Sequence, residues 1–281
     1  VTTPDLRPFQ PLDLVFDVGN TETVAGLFDG DRIIAHWRFA SDPRRTADEQ
    51  GVLLLQLLHA GGRDERRVRS LTIGSVVPAL NEILATAGTR YLGLQPRFID
   101  ARTPLPIRLD VEDPLTVGAD RVLNTLAASH LYAADTVVVD LGTATTFDCV
   151  SAEGAFIGGV IAPGVRDAAE QLTSRTAKLP RVELRAPPRV IGRRTEQCLQ
   201  SGIFWGAVDA IDGMVRRIRV EWERPAARVV ATGGLAELIG PHCATVDVVE
   251  PFLTLQGLRL AREHLEREAH PASAPEALLP G

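Results

Sequence analysis

VGADRVLNTLAASHLYAADTVVVDLGTATTFD, residues 117–148, is the stretch whose reading decides the fold. Its second half is an apolar, β-branched run over 136–139 that ends in Asp140, Gly142, Thr143, Thr145 and Thr146, the pattern of a buried strand entering a tight turn. Such a turn exposes backbone amides and hydroxyls in a fixed array, which suits phosphate oxygens, and a carboxylate beside it can hold the accompanying cation. The first half opens an amphipathic helix over 119–132, with Val122, Leu123, Leu126 and Leu131 on or near one face and Asp120 and Arg121 in the first turn. An Asp is favoured there by the helix macrodipole alone, so capping and chemistry both stay open for it at this point. We read Gly118, Ala119, Asp120 and Arg121 as the place where a substrate hydroxyl meets the phosphate.

Outward from this stretch, the same plan recurs near the start of the chain. A strand over 14–16 runs into Asp17, Gly19, Asn20 and Thr21; a strand over 23–28, a turn over 29–31 and a strand over 32–38 follow. In the central copy, Asp140, Gly142 and Thr143 lead to a strand over 145–150, a turn over 152–154 and a strand over 155–161, with what reads as the same internal spacing. Gly and Asp are ordinary hairpin residues, so one copy alone carries little. Two copies, each with Asn or Thr after the Gly, predict duplicated domains that each contribute a phosphate-gripping turn to a common cleft.

The remaining elements fit that plan. A leucine-spaced helix over 46–60, a strand over 71–77 closed by Pro78, a short helix over 80–87 and a strand at Phe98 and Ile99 complete the first unit. Residues 103–117, with Pro104, Pro106 and Pro114, form a non-helical connector. In the second unit come a glycine-rich turn at Gly158, Gly159 and Gly164, a helix over 165–176, a proline-punctuated loop over 178–188, and a long helix over 196–222 with Thr195 as its N-cap. A strand over 228–231 then reaches Gly233 and Gly234, where a flat ring such as adenine can lie against backbone; a short helix over 235–239, a strand over 246–249 and a closing helix over 253–268 follow. The expected layout is a tail over 1–12, domains over 13–117 and 118–268, and a tail over 269–281, both tails mobile.

Composition narrows the function classes. With 281 residues and a formal net charge of −6 from interspersed acids and bases, the chain has no electrostatic footprint for nucleic acid or an anionic membrane. Cys149, Cys198 and Cys243 are odd in number and far apart, which argues for reduced thiols and no zinc site. No stretch approaches the length of a membrane span, and the first twelve residues lack the order of a signal peptide, so a cytoplasmic location is expected.

The ordered motifs DVGNT (17–21), SVVP (75–78), GADR (118–121), DLGTATTFD (140–148), GGVIAPG (158–164), TAKLPRVEL (176–184), ATGG (231–234) and LTLQGL (253–258) resemble those of the type III pantothenate kinases, over about residues 14–264. The resemblance implies the fold of the acetate and sugar kinase, Hsp70 and actin superfamily: α/β, duplicated ribonuclease H-like (actin-like ATPase) domains with mixed five-stranded sheets and an interdomain cleft. It implies ATP-dependent phosphorylation of the 4′-hydroxyl of pantothenate, the first step towards coenzyme A, by a homodimer that uses Mg²⁺ and a monovalent cation, K⁺ or NH₄⁺. Carried over by motif, Asp17, Val18, Gly19, Asn20, Thr21, Glu22, Thr23 and Val24 match the phosphate-gripping segment, with Asp17 near Mg²⁺, and Thr143 matches a further nucleotide contact. Asp140 matches the monovalent-cation ligand and Asp120 the proton acceptor, while Gly118, Ala119, Asp120, Arg121 and Thr195 match the positions that hold pantothenate.

Those residue types suit phosphoryl transfer, which needs in-line positioning, cations against spreading charge and a carboxylate to take the hydroxyl proton. Asp17 and Asp140 stand at equivalent points of the repeat, where bound cations relieve the repulsion of two carboxylates, and Arg121 can grip a substrate carboxylate in a bidentate way or pair structurally with an Asp. Three positions depart from the family pattern: Val111 where a Tyr is usual, Arg194 where an Asn precedes the substrate-side Thr, and Leu141 for a common Phe. The alternatives are a nucleotide-binding regulatory protein of the Bvg accessory factor kind, without kinase turnover, and a phosphohydrolase with water as acceptor. An intact Asp120 favours the kinase, since a protein that only bound nucleotide needs no base beside an acceptor.

Overall fold

The computed structural model describes residues 11–174 and 179–270. The chain divides into two compact units, one holding Val1–Pro106, Leu115–Leu123 and Leu255–Gly281, the other Ile107–Pro114 and Asn124–Thr254. Most of each expected tail, together with residues 176–178 of the TAKLPRVEL motif, lies outside the described residues.

In the first unit the central strand is β1 (Leu12–Val18), whose side chains are almost all buried, as a strand covered on both faces requires. β2 (Glu22–Asp29) and β3 (Arg32–Ala40) continue it as an antiparallel meander. After α1 (Ala47–Ala60), β4 (Val68–Ser75) returns parallel to β1, and after α2 (Pro78–Leu92), β5 (Arg97–Ile99) joins β4, giving the order β3-β2-β1-β4-β5. Helical crossovers are what parallel neighbours demand. Thr46 and Glu49 close a capping box at the start of α1, and Leu54 and Leu58 turn inward.

Helix α2 begins at Pro78, the first helical residue, and runs well past the expected end at Ala87, to Gly93 in the left-handed conformation. Its extra turn is held by tertiary contact: the Tyr91 hydroxyl donates to Asp48 of α1 at 2.9 Å. A fully buried carboxylate, Asp13, anchors the sheet. It accepts from Arg69 at 3.0 and 3.2 Å, from Ser70 at 2.6 Å, and pairs with Arg262 of α7 (Leu253–Ala269) at 3.1 Å.

The second unit repeats the order. β7 (Thr136–Leu141), β8 (Ala144–Val150) and β9 (Ala155–Pro163) form the meander; β10 (Arg228–Thr232) lies parallel to β7 and β11 (Val248–Val249) parallel to β10. This sheet has six strands where five were expected, because β6 (Arg108–Leu109) pairs parallel with β9. Arg108 donates its amide to Gly154 and Asp110 to Phe156, at 3.0 and 2.8 Å. A two-residue strand inside a proline-rich connector has no periodicity to read.

On one face of that sheet Val137, Val139 and Phe147 form a single core with Phe204, Val208 and Ile211 of α5 (Thr195–Glu221). On the other, Val138, Val150 and Val230 pack with Ala127 and Ala128 of α3 (Ala119–Tyr132) and with Leu253. α4 (Val165–Ser174) and α6 (Ala236–Ile239) complete the unit. Thr195 is the first residue of α5 and not its N-cap: Arg194 holds that place, in extended conformation and without a side-chain capping bond. Among the described residues no helix is long and apolar enough to cross a membrane.

Candidate active site

The first turn follows directly from β1. Asp17 stands opposite Val24 of β2 and Gly74 of β4, so its position is set by strands on both sides. Gly19 donates its amide to the Glu22 carbonyl at 3.1 Å, closing a loop in which Asn20 and Thr21 are exposed. Ser41, just past β3, braces that loop from outside: its hydroxyl meets Thr23 Oγ1 at 2.8 Å and its amide donates to Thr21 at 3.0 Å. The result is a fixed loop with an open rim, suited to a phosphate chain.

The same unit brings the GADR tetrapeptide to this end of the sheet. Val76 donates its amide to Val18, beside Asp17, at 3.0 Å, and a side chain at Gly118 would sit 3.6 Å from Val76. A Cβ at Gly118 would meet the Asp120 carboxylate, which folds back over it. That carboxylate accepts the Arg121 amide at 2.9 Å. Burial nevertheless pushes the Asp120 carboxyl above the usual carboxylate range, against the lowering effect of the Arg121 amide and charge. A carboxylate displaced in this direction is better matched to accepting a proton near neutral pH.

The second turn is built to the same plan but held differently. Asp140 lies in β7 with Thr146 and Thr232 as its neighbours across the sheet. Gly142 donates to Ala144 at 3.1 Å, and Gly142 and Thr143 are exposed. Two other glycines press on this turn. A Cβ at Gly164 would overlap the Thr143 carbonyl, and one at Gly233, whose φ is +88°, would overlap the Asp140 carboxylate. Gly233 therefore has a packing reason to lack a side chain, whatever lies against Gly234.

Thr195 lines an apolar groove of about 510 Å³ between α4 and α5, with Pro163, Val165, Leu172 and Leu199. Pro163 immediately precedes Gly164, so the second turn and Thr195 border one region of the second unit. Arg121, at the start of α3, is half-buried.

Three polar residues around Asp140 had no role assigned from sequence, although Thr232 and Thr254 lie within quoted motifs. Asn124 donates its amide to Asp140 at 3.2 Å, and Thr254 donates its hydroxyl to Asn124 at 2.8 Å. Thr232, almost fully buried beside Asp140, has no partner for its hydroxyl among the described residues. The overlooked signal was polarity on faces otherwise apolar: Asn124 precedes the buried run Leu126, Ala127 and Ala128.

These donors fit the expected ions. Among the described residues no group of three His, Cys, Asp or Glu side chains gathers to hold a metal. A single carboxylate such as Asp17 is enough for Mg²⁺, which takes most of its octahedron from phosphate oxygens and water. Asp140 and Thr232, paired across β7 and β10, bring together one carboxylate and one neutral hydroxyl, a donor set of low charge. None of the three cysteines forms a disulfide; Cys149 and Cys243 are buried and Cys198 is exposed, and burial pushes the Cys243 thiol up to about 12.

A family model described as type III pantothenate kinase matches residues 13–217. A type III pantothenate kinase of Moorella thermoacetica is 48% identical over 252 residues, covering 89% of this chain and 98% of the relative. The chain belongs to the type III pantothenate kinases. A second member, from Myxococcus xanthus, is 44% identical over 88% of this chain and 96% of its own length. Among solved structures, this kinase resembles component A of the (R)-2-hydroxyglutaryl-CoA dehydratase of Acidaminococcus fermentans, with a TM-score of 0.53 at 15% identity over 92% of this chain and 99% of the other. The ethanolamine utilization protein EutJ of Carboxydothermus hydrogenoformans gives 0.54 at 15% identity, over 92% of each chain. At such identities these likenesses speak for the duplicated α/β fold of the kinase alone.

Proposed function

We propose that this kinase transfers the γ-phosphoryl group of ATP to the 4′-hydroxyl of pantothenate, the step that opens coenzyme A synthesis. The observation that carries the reading is Asp120: a carboxylate at the first turn of α3, folded over Gly118 and raised by burial, in a chain of this family. In this reading Asp120 accepts the hydroxyl proton while Gly118, Ala119, Arg121 and Thr195 hold pantothenate, with Arg121 gripping its carboxylate.

Residues 17–24 take the phosphates, Thr143 adds a nucleotide contact, and Gly233 and Gly234 lie on the adenine side. Asp17 stands nearest Mg²⁺ and Asp140 holds K⁺ or NH₄⁺; bound there, the cations offset the charge of the phosphates. The shared strand order of the two sheets supports reading 13–117 and 118–268 as two copies of one ancestral unit. A homodimer is supported by exposed apolar side chains in the second unit, among them Ile161, Val190 and Ile191. A cytoplasmic location completes the proposal.

The test is an assay of purified protein with ATP, pantothenate, Mg²⁺ and K⁺ or NH₄⁺, scored for phosphopantothenate. Nucleotide binding without that product would favour the regulatory reading.

A further inference from the structure

The hydrogen bonds behind Asp140 form a directed chain. Its last member is fixed: an ionised carboxylate only accepts, so the group facing Asp140 Oδ2 at 3.2 Å has to be the Asn124 Nδ2 donor. That leaves the Asn124 carbonyl oxygen on the other side, where Thr254 Oγ1 donates to it at 2.8 Å. The amide is thus held in one of its two flips by the hydroxyl behind it. Asn124 is 1% exposed and Thr254 7%, so neither bond competes freely with water.

The surroundings give no packing reason for these side chains. Their neighbours Ala127, Ala128 and Leu253 belong to a purely apolar cluster with Val138, Val150 and Val230. Burying an amide in such a setting is costly unless its hydrogen bonds are made. On the opposite side of the carboxylate, the backbone of Gly233 closes on Asp140 Oδ1 so tightly that no Cβ fits. One oxygen is therefore gripped by an oriented donor and the other is walled by backbone.

We propose that Asn124 and Thr254 are positioning residues: Thr254 orients the Asn124 amide, and the amide holds the Asp140 carboxylate in the orientation in which it receives a monovalent cation. This rests on the assignment of Asp140 to the cation. Partners behind a ligand commonly matter this much, since removing one costs about 10- to 100-fold in ion affinity.

The experiment compares Thr254→Val, which keeps shape and loses the donor, with Thr254→Ser, which keeps the donor, and adds Asn124→Leu and Asp140→Asn. Two readouts are taken on the full chain: the half-saturating K⁺ concentration for turnover, and that for thermal stabilisation of the ATP-bound protein, titrated against N-methylglucamine at constant ionic strength. Expected for Thr254→Val and Asn124→Leu is a rise of about 10- to 100-fold in half-saturating K⁺ in both readouts, with the KM for pantothenate little changed and Thr254→Ser close to wild type.

Should Asn124→Leu fail to fold, the Val and Ser variants decide alone. Unchanged half-saturating K⁺ in Thr254→Val, with only a lowered melting temperature, would reduce the chain of bonds to structure and overturn the proposal. An unchanged K⁺ response in Asp140→Asn would instead remove Asp140 from the cation. Loss of the response in Asp140→Asn with none in the other two leaves that assignment standing and defeats the positioning role.

Discussion

The turn after β1 and the turn after β7 occupy the same place in the same strand order, and they are not the same object. Between paired residues Val18 and Thr23 the first spans residues 19–22; between Leu141 and Thr145 the second spans only 142–144. The spacing that looked identical in sequence thus differs by one residue at the point that matters. Around the first turn, the nearest constraint on Gly19 is the Glu22 carbonyl, 3.0 Å from where a Cβ would lie. Around the second, Gly164 and Gly233 leave no space at all. The units diverge beneath the turns as well: the sheet position of Asp13, with its ion pairs, corresponds to Thr136, which makes one bond to the Ala134 carbonyl at 2.8 Å. Duplication preserved the scaffold, while the second turn alone acquired two glycines from elsewhere in its unit, Gly164 and Gly233, that close on it.

The largest expected effect separates chemistry from scaffold. Asp120→Asn should lower turnover about 10²- to 10⁴-fold while calorimetry still registers ATP binding; a near-normal rate would strip Asp120 of its role. The same variant carries a pH signature. Because burial raises the Asp120 carboxyl, its ionised form costs folding stability, and that cost grows as pH rises through the raised value. Asp120→Asn should then be more stable than the parent at neutral pH, with the advantage vanishing below the ordinary carboxylate range, where the parent is protonated folded or unfolded. Denaturant titrations across pH check the sign.

Next in size is the anchor beneath the first turn. Asp13→Ala removes the buried partner of Arg262, which keeps only Glu263 and Glu266 of its own helix, and should cost about 3 kcal/mol in urea unfolding, whereas Thr136→Val at the matching place should cost only about 0.5–1.5 kcal/mol. Equal costs would mean the two copies are anchored alike. The turns themselves come third: Gly164→Ala should destabilise by about 1–3 kcal/mol through overpacking, and Gly19→Ala, whose Cβ would meet the Glu22 carbonyl at 3.0 Å, by about 1 kcal/mol. A reversed order would break the contrast in crowding between the two turns. Smallest is Arg194→Asn, which gives α5 a capping side chain and should add about 0.5–1 kcal/mol, visible as a raised melting temperature.

The meander and crossover plan was legible because β-branched runs such as 136–139 and the leucine spacing of 46–60 are local, and local signals survive in a sequence. What depended on distant contacts was not. The last turn of α2 leans on Asp48, forty-three residues away from Tyr91, and Thr254 reaches Asn124 across 130 residues. The motif carriers Asp17, Asp120 and Asp140 stood out because charged residues at strand ends and helix starts are conspicuous. Their supporting partners did not, since a lone Asn or Thr among apolar neighbours looks like a tolerated exception until the bond it makes is visible. Thr195 was misplaced by one position for a related reason: a Thr ahead of a helix invites the N-cap assignment, but Arg194 already has the extended backbone of the cap.

Strand β6 has a consequence for how molecules of this kinase treat one another. An outermost strand offers unpaired amides and carbonyls to any neighbouring chain, and natural sheets blunt that invitation. In the second unit the connector itself lies along the start of β9, at Ala155 and Phe156, through the bonds at Arg108 and Asp110, so that part of the template is already taken by the chain's own backbone. β3, its counterpart, has no such cover in the sheet order and instead displays exposed Arg32 and Arg38. Deleting the connector strand would therefore be felt first in the test tube as self-association and poor recovery on refolding, before any loss of catalysis.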